Sequence, residues 1–154
     1  MIISKDNINK FIKGLYMNCS NSNITHIDYI PNSIMYLYCR GNKLIELPKL
    51  PEHLIYLDVS FNYLKKLPKL PCFLMSLHCT NNQLTKLPKL PGDLINLTCD
   101  NNRLNELPKL PENLDGLYSW NNNLPYEVTI NNIKEHNQLI KRKEIINQIV
   151  NEKH

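Results

Sequence analysis

The chain of 154 residues has no run of 18 apolar residues, so no segment has the makeup of a membrane-spanning helix. Its opening residues are interrupted by Lys5, Asp6 and Lys10 and lack the apolar stretch of a secretory leader. Charge imbalance is small, a formal +4, whereas dedicated nucleic-acid binders are more basic or gather their charge on one face. Nucleic acid and membrane are therefore not expected partners. Cysteine is present as five residues, an odd count, which with no leader predicts reduced thiols and an intracellular, cytoplasmic setting. No phosphate loop, zinc-protease motif or nucleophile elbow occurs, and His26, His53, His78, His136 and His154 fall at unrelated places. The expectation is a non-enzyme with no catalytic residues, no cofactor and no metal site.

What is present is a period. Leu-Pro-Lys-Leu-Pro stands at 47–51, 67–71, 87–91 and 107–111, a step of 20 residues without insertion. Asn42, Asn62, Asn82, Asn102 and Asn122 keep the same step, as do Leu37 to Leu117 and Leu44 to Leu124. One unit, Leu54-Ile-Tyr-Leu57-Asp-Val59-Ser-Phe-Asn62-Tyr-Leu64, resembles the leucine-rich-repeat pattern L-x-x-L-x-L-x-x-N-x-L. Five units match from Pro31 to about Leu124, and a degenerate sixth lies upstream with Met17, Cys19, Ile24 and Ile27 in the apolar places and Ser22 for the asparagine.

Leu57 and Val59, two apart, face one side of a short strand, and Tyr56, Asp58 and Ser60 face the other. Stacked units form a parallel sheet. Each asparagine sits where the chain leaves the strand, and its amide can donate and accept, so a ladder of them is expected to hold turn backbone groups. Nine of the ten prolines fall in the return path, which excludes a helix there and predicts an extended, polyproline-like side.

The expected fold is a single-domain solenoid over 1–154, with a parallel sheet on the concave side, an extended convex side and helical caps at both ends. Ile8, Phe11, Ile12 and Leu15 share one helical face, Ser4 suits an N-cap and Gly14 a stop, predicting a helix over 5–13 within an N-terminal cap, 1–14. About six repeats fill 15–124. Residues 125–154 form the C-terminal cap, because 129–151 contains no proline or glycine and reads as helix. That helix either covers the last repeat or serves as a partner-binding or oligomerising helix.

The LPxLP unit resembles the short repeats of secreted bacterial effectors and of leucine-rich-repeat proteins of giant viruses. The resemblance covers about two-thirds of the chain. It implies a protein-interaction scaffold that binds a partner protein through its concave strand face, in the host cytoplasm. Some of the effectors carry a ubiquitin-ligase domain with a catalytic cysteine. The residues after Leu124 are too few for one and hold no cysteine, so a binding module alone is expected. The alternatives are a structural or assembly component, such as part of a virion, and a substrate adaptor for host ubiquitin machinery. The sequence sets neither the partner's identity nor the oligomeric state.

Buried places repeat from unit to unit, and outward strand places vary, so the varying residues are the candidates for recognition. The front half is aromatic, with Tyr16, Tyr36, Tyr38, Tyr56 and Phe61 beside Arg40. The middle carries Asp58, His78 and Asp100, and Tyr118 and Trp120 stand at the far end. Exposed aromatics and arginine dominate interface hot spots. Tyrosines also suit strands and pack on one another, which is the structural alternative.

Cys19, Cys39, Cys79 and Cys99 occupy the place of Val59 and are expected to pack inward as small apolar residues. Cys72 replaces a return-loop residue and is expected to be the exposed thiol. Lys49, Lys69, Lys89 and Lys109 form a row on the return side, read as a solvated face rather than a polyanion site.

Overall fold

The computed structural model describes residues 1–151; the last three residues of the expected C-terminal cap lie outside the described residues. Nine short strands and one long helix follow in order: β1 Ile2–Ile3, β2 Ile12–Lys13, β3 Tyr16–Asn18, β4 His26–Ile27, β5 Tyr36–Tyr38, β6 Tyr56–Asp58, β7 Ser76–His78, β8 Asn96–Thr98, β9 Gly116–Tyr118 and α1 Ile133–Asn151. The main sheet has the order β2-β3-β5-β6-β7-β8-β9, with β1 and β4 forming a separate parallel pair.

From β3 to β9 the pairing is parallel and in one register, Leu37 beside Leu57, Leu57 beside Leu77 and onward to Leu117. Each central leucine from Leu37 to Leu97 is fully buried, as are Cys39, Val59, Cys79 and Cys99 two residues on. Both sit on the same face of a period-two strand, so each unit contributes one layer to a continuous apolar core.

The asparagine ladder stitches these layers together. Asn62 Nδ2 donates to the carbonyls of Val59, in its own unit, and Cys39, in the preceding one, at 3.0 and 2.9 Å. Its Oδ1 accepts the Leu44 N–H at 3.0 Å. Asn42, Asn82, Asn102 and Asn122 repeat the arrangement. Among the described residues no buried side-chain polar atom lacks a partner.

The Leu-Pro-Lys-Leu-Pro returns contain neither helix nor strand, and each closes with a turn in which the N–H of Leu54, Leu74, Leu94 or Leu114 bonds to the carbonyl of the preceding Pro51, Pro71, Pro91 or Pro111. No described helix is long and apolar enough to cross a membrane.

The front cap differs from the expected helix over 5–13. It holds a single 3-10 turn, Ile8–Phe11, followed by an antiparallel hairpin of β2 with β3. Short-range side-chain bonds compete with the helix here. Asn7 Oδ1 accepts the Ser4 N–H at 2.9 Å, and Ser4 Oγ accepts the Asp6 N–H at 3.3 Å. Gly14, at φ +61°, reverses the chain instead of ending a helix. Ile3 and Ile8 still plug the core, while Leu15 leaves the apolar stripe for solvent.

At the back, Thr129 and Asn132 form a capping box over a 3-10 turn that leads into α1. His136 is 2% exposed and anchors the helix. Its Nε2 donates to the Pro108 carbonyl at 3.0 Å, and its Nδ1 lies 2.9 Å from the Tyr126 hydroxyl. Asn137 bonds both the N–H and the carbonyl of Leu110, each at 2.8 Å. Residues 141–150 are all exposed, including Ile145, Ile146, Ile149 and Val150. The helix thus occupies the expected residues, but only its first two turns cover the solenoid.

Candidate partner-binding face

Outward residues of the parallel strands line up in columns, because the register never slips. Tyr16 and Tyr36 stack with ring centres 4.5 Å apart and planes 12° from parallel. Tyr38 meets Tyr56 at 4.9 Å, and Tyr56 meets His78 at 5.2 Å. His78 Nδ1 lies 3.1 Å from Thr98 Oγ1, so one file of rings and hydroxyls crosses four repeats. Burial raises the Tyr38 and Tyr56 phenols above their usual range, with Asp58 adding to both. Burial also lowers the His78 imidazole, against the opposing pull of Asp58 and with Arg40 reinforcing it.

Next to this file runs a column with left-handed backbone. Asn21, Gly41, Phe61, Asn81, Asn101 and Asn121 all have φ between 52° and 67°. Asparagine and glycine tolerate that conformation, and a bulky aromatic resists it. Phe61 is nonetheless held there, 45% exposed, with the Arg40 guanidinium 4.3 Å above its ring.

Seven of the residues expected to bind a partner line one shallow hollow of about 540 Å³: Arg40, Tyr56, Asp58, Phe61, His78, Asp100 and Trp120. Tyr16, Tyr36, Tyr38 and Tyr118 lie outside its lining. Tyr118 and Trp120 are both exposed. Asp100 corrects the expectation of an outward, free carboxylate, being only 5% exposed. It accepts the Thr80 hydroxyl at 2.8 Å and the Asn101 amide at 2.7 Å, so it holds the floor of the hollow in place. Ser60, also expected to point outward, is buried as well.

The return side carries a larger hollow of about 1120 Å³, lined by Lys49, Lys69 and Lys89 together with Cys72 and Phe73. Phe73, exposed and 5.8 Å from the His53 ring, escaped the sequence reading. Its signal was there, since the place runs Ser33, His53, Phe73, Asp93, Asn113 without a structural pattern. Among the free cysteines Cys72 is exposed and the other four are buried, as expected. No group of three metal-ligating side chains occurs among the described residues.

The uniform parallel register, the asparagine ladder and the proline-rich return define a leucine-rich-repeat solenoid of the short, 20-residue type. The solved structures agree. The chain is similar to the leucine-rich-repeat domain of a Shigella effector, with 30% identity and a TM-score of 0.76 over 84% of this chain and 62% of that one. It is similar to YopM of Yersinia enterocolitica, with 34% identity and a TM-score of 0.66 over 72% of this chain and 29% of that one. YopM of Yersinia pestis, described as a leucine-rich effector protein, matches at 33% identity and a TM-score of 0.54 over 68% and 36%. The chain therefore spans between 29% and 62% of the length of these proteins. No protein-family model and no curated protein matches it. The likeness supports a protein-interaction scaffold in general, in a repeat fold that serves binding.

Proposed function

We propose that the chain captures a partner protein on its strand face, with Phe61, Arg40, Tyr56 and Tyr38 at the centre of the contact. The observation that carries this is the Phe61 backbone. Five of the six units put asparagine or glycine at that left-handed place, and one puts an exposed aromatic ring there beneath an arginine. Strain of this kind is kept where function needs it, and aromatic and arginine side chains are the usual anchors of an interface. Asp58, His78 and Trp120 around the hollow supply the polar and aromatic contacts that orient what enters. The five free thiols fit work in a reducing cytoplasm.

Photocrosslinking tests this reading. A photoreactive phenylalanine in place of Tyr56 should trap the partner from the native cellular context, and the same group in place of Lys69 on the return side should not. Equal trapping from both sides would remove the strand face from its role. The exposed Ile145, Ile146, Ile149 and Val150 favour a second reading, assembly into a larger complex through α1. Deleting 141–154 would abolish that assembly and leave strand-face capture intact.

A further inference from the structure

We propose that the open edge of β9 is a second docking site, which takes an extended segment of a partner protein as one more parallel strand. The interior shows what this edge lacks. Cys99 N–H donates to the Tyr118 carbonyl at 2.8 Å and Asn101 N–H to the Trp120 carbonyl at 3.0 Å. The Ile95 carbonyl accepts the N–H groups of Asp115 and Gly116 at 2.8 and 3.1 Å. Leu104 N–H donates to Asn122 Oδ1 at 2.9 Å. One repeat further on, the same groups belong to Ser119, Asn121, Asp115 and Leu124, and among the described residues no strand lies beyond β9 to meet them. A row of free backbone donors and acceptors is a template for strand addition.

The chain closes over this row only at Ser119, which is 6% exposed and donates its hydroxyl to the Val128 carbonyl at 3.2 Å. α1 leaves toward the return side, where His136 and Asn137 hold Pro108 and Leu110. A groove of about 320 Å³ remains, lined by Leu117, Ser119, Trp120, Leu124, Glu127 and Val128 among others. Leu117 is only half-buried there, whereas its counterparts Leu57, Leu77 and Leu97 are fully buried.

The sheet's own continuity specifies the occupant. Five successive pairs share one parallel register, so the next strand places one apolar side chain over the half-buried Leu117 and a second, two residues on, beside Ser119 and against Val128. The residues at the alternate places stand beside the exposed Tyr118 and Trp120. Glu127 is the one charged residue lining the groove, so lysine or arginine in the segment complements it. A second copy of this chain fits less well. A two-fold pairing through β9 is antiparallel and sets two Glu127 carboxylates at one junction.

The probe is a synthetic peptide copying residues 55–64 with Asp58→Lys, titrated into the full chain and followed by amide NMR and hydrogen exchange. Saturable shifts at Leu117, Ser119 and Asn121 are expected, with slower exchange of the Ser119 amide. Two N-methylated peptides give the decisive comparison. Within the solenoid Tyr56 N–H donates to the preceding unit, at Met35, and Val59 N–H to the following one, at His78. Methylation at the Tyr56 place should therefore weaken binding about tenfold, the worth of one such bond, while methylation at the Val59 place leaves it within about twofold. Equal binding of both peptides, shifts confined to the hollow near Phe61, or self-association of the chain with no response to the peptide would each overturn the proposal.

Discussion

The Arg40 guanidinium stands 4.3 Å from the centre of the Phe61 ring, and the two residues come from neighbouring repeats. The contact is made by a side chain whose own backbone is left-handed, at φ 58°. Left-handed backbone costs a residue with a Cβ about 1–2 kcal/mol, and asparagine less. An exposed cation–π pair returns about 0.5–1 kcal/mol. Phe61→Asn should therefore raise unfolding stability by up to about 1 kcal/mol, read from urea denaturation midpoints at unchanged slope. A loss of stability would show that the ring serves packing instead.

The asparagine ladder predicts a position-dependent loss. Asn62→Leu removes four bonds and takes the partner from the Leu44 N–H, while the Cys39 and Val59 carbonyls keep the Asn42 and Asn82 amides. An unsatisfied buried group costs about 1–3 kcal/mol, so the variant should lose about that much. Asn122, partly exposed at the last repeat, should tolerate the same change at a smaller cost, and chemical denaturation of both variants compares them.

Thiol labelling should divide the cysteines sharply. Cys72 is exposed. Burial pushes the Cys99 thiol up to about 12 and holds the Cys79 thiol well above its usual range. Cys39 is raised as well, first by its contact with Cys19 at 3.2 Å and then by burial. At pH 8 iodoacetamide should modify one cysteine rapidly, identified as Cys72 by peptide mapping, and reach the other four only after unfolding.

His78 makes the fold sensitive to acid. Its folded value lies below the usual 6.5, so the unfolded chain binds more protons in the window between the two. Stability rises with pH there, and it falls as pH drops from 6.5 through the folded value. His78→Gln should flatten the melting-temperature profile between pH 7 and 5 relative to the parent chain, and an NMR titration of His78 should have its midpoint below 6.5.

At the back end, the anchored and free parts of α1 should separate. His136→Ala strips two hydrogen bonds from a buried site and should cost about 2–4 kcal/mol in thermal unfolding. Truncation after residue 140 removes only exposed side chains of the described helix and should change stability by less than about 1 kcal/mol.

The sheet, its register, the ladder and the inward cysteines were legible because each place is written several times at one spacing. Repetition turns a weak local preference into a pattern. The front cap occurs once and has no such support. Its stripe of Ile8, Phe11, Ile12 and Leu15 fits a helix, and only the local bonds of Ser4 and Asn7 and the turn at Gly14 show why it becomes a hairpin. The outward columns were legible as columns. The burial of Asp100 was not, because it depends on the Thr80 hydroxyl one repeat away. Nor was the strain at Phe61, because backbone angles became visible only when the column was seen to be left-handed throughout. The open edge of β9 was also hidden, since the path of α1 decides what stays uncovered.

The central claim is capture of a partner through Phe61 and Arg40. It is tested most directly by measuring the affinity of the captured partner for the parent chain and for Phe61→Asn, with both stabilities read from the same samples. The account predicts a variant at least as stable as the parent that binds about tenfold more weakly or worse, as loss of an interface anchor does. A stable variant with unchanged affinity would contradict it.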